Sequence, residues 1–249
     1  MKFVTFRKVC LAGVLIALCV SAGASKKKDK TVTQVNKTVD SGSLGVYVSG
    51  KRVATETFRI EQGESFSTAT SEFKTADGMA KARQESELQI GTNGELRRYT
   101  WRELAPGKSQ ITVEPSGEFL VEHVTPDPPE KPSDQTLLLS TSTSILDDYF
   151  FSQRELLMWR YMAQACGAQI QGCSLPSTIF GALIPSQRIS VSVAVSYKGK
   201  EKVSIKGITQ ELDRFEVSVE GDEWRVYLDS NMKMVRIVVP AENTEVLRD

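Results

Sequence analysis

The stretch Ser144–Cys173, SILDDYFFSQRELLMWRYMAQACGAQIQGC, decides the fold, because it alone after the N-terminal segment carries a helical period while its surroundings alternate like β-strand. At about 100° per residue, Ile145, Leu146, Tyr149, Phe150, Leu156, Leu157 and Tyr161 cover one broad apolar arc, as a core-facing helix requires. Ser144 followed by Asp147 fits a capping pattern, Asp147 and Asp148 would sit in a first turn that favours negative charge, and Gly167 is a natural stop. The expectation is a helical segment over 144–166. Phe151, Met158 and Met162 form a second, narrower stripe on another side, with Trp159 beside it. That stripe either lines a cavity or is buried by the following SLPSTIFGALIP, and a break near Ser152-Gln153 would dissolve it into two short helices. Methionine suits an apolar ligand of loose shape, which makes Phe151, Met158, Trp159 and Met162 the candidate ligand contacts.

Working outward, ISVSVAVSY (Ile189–Tyr197) places Ile189, Val191, Val193, Val195 and Tyr197 on one face and small polar residues on the other, the pattern of a half-buried strand. Short strands joined by Gly221-Asp222 and Ser230-Asn231 turns follow it to the C-terminus. Upstream, LGVYVSGKRVATETFRIEQ reads as a hairpin about Ser49-Gly50-Lys51, and Asp77-Gly78, Asn93-Gly94, Pro106-Gly107 and Ser116-Gly117 punctuate further strands. Phe66, Phe73, Leu88 and Ile90 are spread thinly, so this part of the sheet is expected to be loosely filled. The proline-rich TPDPPEKPSD reads as a stiff loop crossing to the helix. The whole predicts a mainly β protein: a large curved antiparallel sheet or half-open barrel with one helical insertion packed on it. LQIGTNGELRRY and VYLDSNMKMVRI echo one another, an echo that generic hairpin chemistry also produces.

Lys2, Arg7 and Lys8 precede an apolar run from Val9 to Val20 and an Ala22-Gly23-Ala24 cleavage pattern, so residues 1–24 read as a secretory signal peptide. Residues 25–43 read as a flexible leader and 44–249 as a single antiparallel β-domain, with no membrane span in the mature chain. Loss of the signal takes the balance from 31 basic against 31 acidic residues to 28 against 31, about −3, which argues against nucleic-acid binding. Cys166 and Cys173 remain in the mature chain, and an oxidising compartment favours a disulfide between them. No metal site is expected, since a zinc site would need more ligands than these cysteines and the lone His123 supply.

No GxSxG, HExxH, P-loop or GxGxxG stands in a useful context, His123 reads as a strand residue, and no catalytic residue or cofactor is assigned. YVSGKRVATETFRI, IGTNGELRRYTW, ILDDYFFSQRELLMWRY and YLDSNMKMVRIVV together resemble secreted bacterial β-domain proteins of unknown function. More distantly the chain is similar to the LolA-like periplasmic fold. That resemblance implies a curved, unclosed barrel whose helices cover an apolar cavity. The functional expectation is a periplasmic or secreted non-enzymatic protein that binds a lipid or other apolar small molecule between sheet and helix. The alternative is a structural or protein-interaction module of the bacterial cell envelope, its partner an envelope protein.

Overall fold

The structure is a computed structural model that describes residues 36–166 and 176–249. The expected signal peptide and the first part of the leader lie outside the described residues, as does Cys173. Eight strands come first: β1 (Lys37–Val48), β2 (Lys51–Gln62), β3 (Phe66–Thr75), β4 (Arg83–Gly91), β5 (Leu96–Ala105), β6 (Gln110–Ser116), β7 (Phe119–Thr125) and β8 (Ser133–Leu137). A two-residue β9 (Ser144–Ile145) and helix α1 (Ser152–Cys166) follow. The second run is β10 (Thr178–Ile184), β11 (Ile189–Ile205), β12 (Ile208–Val219), β13 (Asp222–Leu228), β14 (Met234–Val239) and β15 (Thr244–Arg248).

All fifteen belong to one sheet, ordered β8-β7-β6-β5-β4-β3-β2-β1-β15-β14-β13-β12-β11-β10-β9. Two meanders are thus joined through the β1–β15 pair, where Val46 faces Val246, and the sheet is unclosed, with β8 and β9 at its edges. Every ladder is antiparallel except that between β9 and β10. The tightest hairpins turn where two successive residues take positive φ, as Ser49-Gly50 and Lys206-Gly207 do, which is the geometry that follows the strand twist. The leader expectation shifts here. β1 begins at Lys37, because Lys37 and Thr38 pair with Gln62 and Glu61 and Asp40 is buried.

Alternation sends Ala54, Glu56, Phe58 and Ile60 of β2, and Val191, Val193 and Val195 of β11, to the inner face, where the main core collects around α1. A second, smaller core of Val203, Ile205, Leu212 and Tyr227, supported by Val235, Val238 and Leu247, lies on the opposite face of β13–β15. It forms because the register of β11 against β12 shifts between Tyr197 and Gly199, and the hairpin reaches back until Lys206 Nζ donates to Arg248 O at 3.2 Å. The proline-rich segment connects β7 to β8 as an antiparallel pair rather than crossing directly to the helix.

The helix also begins later than its local sequence suggests. Ser144 and Ile145 pair with Ala182 and Leu183 of β10, and Leu146 N bonds Leu183 O at 3.0 Å, so the residues before Ser152 enter as strand and turn. From Ser152 to Met158 every residue is buried. The sheet thus encloses the first two turns of α1, whereas further along Trp159 and Arg160 are half-buried and Ala163 and Gln164 are exposed. Among the described residues no helix is long and apolar enough to cross a membrane.

Candidate functional site

The buried start of α1 carries Ser152, Gln153, Arg154 and Glu155, four polar residues that need partners inside the sheet. Glu56 supplies the first set. Its carboxylate, fully enclosed, accepts from Phe151 N at 2.6 Å, Ser152 N at 3.2 Å, Ser152 Oγ at 2.6 Å and Ser71 Oγ at 2.8 Å. A carboxylate from another strand thereby takes the place of a local cap, satisfying free N–H groups where the helix dipole favours negative charge. Burial pushes the Glu56 carboxyl above its ordinary range, and these donors pull it only part of the way back.

Asp147 forms a second node. Tyr99 Oη donates to it at 2.6 Å, and Ser186 donates both its amide, at 3.2 Å, and its hydroxyl. Burial raises this carboxyl too, and burial together with Asp147 raises Tyr99 far above the ordinary phenol range. Arg154 has no described carboxylate partner in contact. Its guanidinium donates to the carbonyls of Phe150, at 3.0 Å, Leu146, at 3.4 Å, and Asp147, holding the turn before the helix, and lies 4.8 Å from the Trp224 ring centre.

The third node joins the helix to the sheet centre. Asp40 is paired with Arg248 at 2.6 Å and Lys233 at 3.0 Å, while Glu155 accepts from Met234 N at 3.0 Å. Burial pushes the Glu155 carboxyl up to about 9, reinforced by the adjacent Asp40. Burial also opposes ionisation of Asp40, but Arg248, Glu155 and Lys233 outweigh it and hold that carboxyl below its ordinary value. The two carboxyls are thereby driven apart, Glu155 upward and Asp40 downward.

Beyond these nodes the second half of α1 forms one wall of a cleft with two lobes, which share Gln62, Ser67, Ile90, Leu156, Trp159 and Ala163. One lobe, of about 420 Å³, extends to Leu88, Leu96, Ser144, Ile145 and Arg160. The other, of about 410 Å³, extends to Val39, Ile60, Met162 and Met232. Each is within the ~300–1,000 Å³ range of small-molecule sites, and the lining is mostly apolar. Trp159 anchors the helix against the opposite rim by donating Nε1–H to Met232 O at 2.6 Å. A larger hollow, about 810 Å³, lies over β2–β5, but Thr57, Arg59, Thr70, Glu72 and Glu85 line it. Two of its carboxylates pair across strands, Glu72 with Arg83 at 2.7 Å and Glu85 with Arg102 at 2.8 Å. Volume alone does not select it.

Of the residues singled out from the sequence, Trp159 and Met162 reach the cleft, whereas Phe151 and Met158 are buried and belong to the main core. The stripe is explained by enclosure: a helix surrounded by its sheet needs apolar residues on more than one side. Cys166 ends α1, and the disulfide expectation falls outside the described residues with Cys173. His123 lies 2.8 Å from Asp134 and 3.6 Å from Glu114 across β6–β8, away from the cleft lining. Among the described residues no three His, Cys, Asp or Glu side chains cluster as a metal site would require.

Sequence reasoning missed Asp40, Glu56 and Glu155. Glu56 carried a signal, since in ATETFRI it occupies the same inward register as Ala54, Phe58 and Ile60. The thin apolar content of β3 and β4 has the same origin. Ser71, Gln84 and Ser86 are buried there, and Ser71 receives the polar helix start, with its Oγ 2.9 Å from that of Ser152. Fold and site thus define an open antiparallel sheet wrapped about one helix, with an apolar cleft along the helix. No family model, curated protein or solved structure matches the chain.

Proposed function

We propose that this protein is an exported, non-enzymatic binder of a lipid or other apolar ligand, held between α1 and the inner face of β2–β5. The observation that carries this reading is the two-lobed cleft, in which Leu156, Trp159 and Met162 face Ile60 and Ile90 without filling the space between. Its two halves divide the work of the helix. The polar first turn is fastened by Glu56, Asp147 and the Met234 amide, so the apolar second half can keep a fixed distance from the sheet. Periplasmic or secreted placement fits such a binder, because it would carry an apolar molecule through water. Native mass spectrometry of gently purified protein tests it. A co-purified adduct is expected, and it should be lost in Ala163→Trp, which puts a large ring into the cleft from an exposed position and leaves the core untouched. Protein without an adduct, which also fails to take up added lipid, would contradict the reading.

An envelope-interaction role is the second reading, supported by β8. This strand is exposed along Ser133–Thr136, has one free edge and is followed by Leu138 at 81% exposure, an arrangement open to strand addition. Cross-linking from Gln135 in cells would capture a protein partner under this reading and none under the first.

A further inference from the structure

The two lobes of the cleft differ in charge. Among the described residues Arg160 is the one charged residue that lines either of them, and it belongs to the lobe next to Ser144. Elsewhere the cations that reach the interior are matched: Arg248 to Asp40 at 2.6 Å and Arg188 to the enclosed Glu122 at 2.8 Å. Arg154 is matched by three carbonyls. Arg160, half-buried, donates one N–H to Ser144 Oγ at 3.0 Å and lies 5.4 Å from the Phe180 ring centre. None of the described ion pairs includes Arg160, and the acid whose field reaches it is the exposed Glu95. A guanidinium has five N–H donors, of which the described bonds use one. Burial without a counter-ion pushes its pKa down, which is the electrostatic cost that an arriving anion would relieve.

Resting on the cleft reading above, we infer that the ligand is a single-chain amphiphile with a carboxylate head, the head set against Arg160 and the chain running past Trp159 toward Met162. Serine and arginine at one end supply donors and charge for a carboxylate. The far lobe, with Val39, Ile60 and Met232, has no charged lining residue among the described residues and suits the chain. Uncharged chains of equal length would keep the apolar contacts and lose the ion pair.

Isothermal titration with dodecanoate and with dodecanol separates the two claims. The acid is expected to bind about 10- to 100-fold more tightly than the alcohol, the range of a hydrogen-bonded charge pair. Arg160→Gln should erase that preference, and Arg160→Lys should restore part of it. Lengthening the acid by one methylene should tighten binding about 4-fold in the wild-type protein. Equal affinity for acid and alcohol would overturn the head-group assignment while leaving the apolar cleft standing, and this comparison needs no variant to fold. Binding of neither compound would overturn both. A preference for acid that survives unchanged in folded Arg160→Gln would place the head elsewhere and also overturn the assignment.

Discussion

Removing the Glu56 side chain should detach the start of α1 from the sheet. In Glu56→Ala, Phe151 N and Ser152 N lose their acceptor inside the protein, at about 1–3 kcal/mol each. The two serine hydroxyls suffer less, since Ser71 Oγ and Ser152 Oγ are already 2.9 Å apart and can bond each other. The lost interaction with the helix terminus adds about 0.5–1 kcal/mol, and relief from burying a carboxylate, whose pKa is raised, subtracts from the total. The expected loss is about 3–4 kcal/mol. Glu56→Gln should cost about 1 kcal/mol, because its oxygen can face the two amides while its NH₂ group donates to the hydroxyls. Urea unfolding followed by circular dichroism, with unchanged slope, measures both. The carboxyl's native pKa is raised, so its ionisation opposes folding. Wild-type stability relative to the Gln variant is greatest below the ordinary carboxyl range and falls as pH rises through the native value. An Ala variant losing less than about 1 kcal/mol, or a Gln variant losing as much as Ala, would refute the role assigned to Glu56.

Glu155, pushed up to about 9 by burial and Asp40, makes a contribution that is fully present below the ordinary carboxyl range and lost as pH rises toward that value. Glu155→Gln should therefore be near neutral at pH about 5 and stabilising relative to wild type at pH about 9, as read by denaturant unfolding at both. Arg188→Ala leaves Glu122 enclosed without its cation. With Arg188 itself partly exposed, the loss should be about 2 kcal/mol, and Glu122→Leu in the same chain should recover most of it in thermal melts.

The strand pattern was legible because it is local: the alternation of Ile189–Tyr197 and the Ser49-Gly50 turn each contain their own instruction. The helix was legible in existence but not in start. Ser144 and Asp147 offer a plausible cap, yet the cap in use comes from Glu56, 95 positions from Phe151, and Asp147 is committed to Tyr99 and Ser186. No local window contains that choice. The same holds for the cleft. Trp159 and Met162 stood out on the helix, whereas Gln62, Ser67 and Ile90 became its opposite wall only through strand order. Phe151 and Met158 looked surplus for a helix with one buried face and are ordinary for one enclosed by its sheet.

The cleft itself is tested most directly by quenching of Trp159 emission with a brominated acyl chain, compared with the same chain unbrominated. Trp159 borders both lobes, so bromine bound in either lobe comes near the ring. Saturable quenching at the bromine label, absent in a folded Trp159→Phe variant that retains Trp101 and Trp224, is the expected result. Quenching that persists unchanged in Trp159→Phe, or no saturable quenching at all, would contradict a ligand seated along α1.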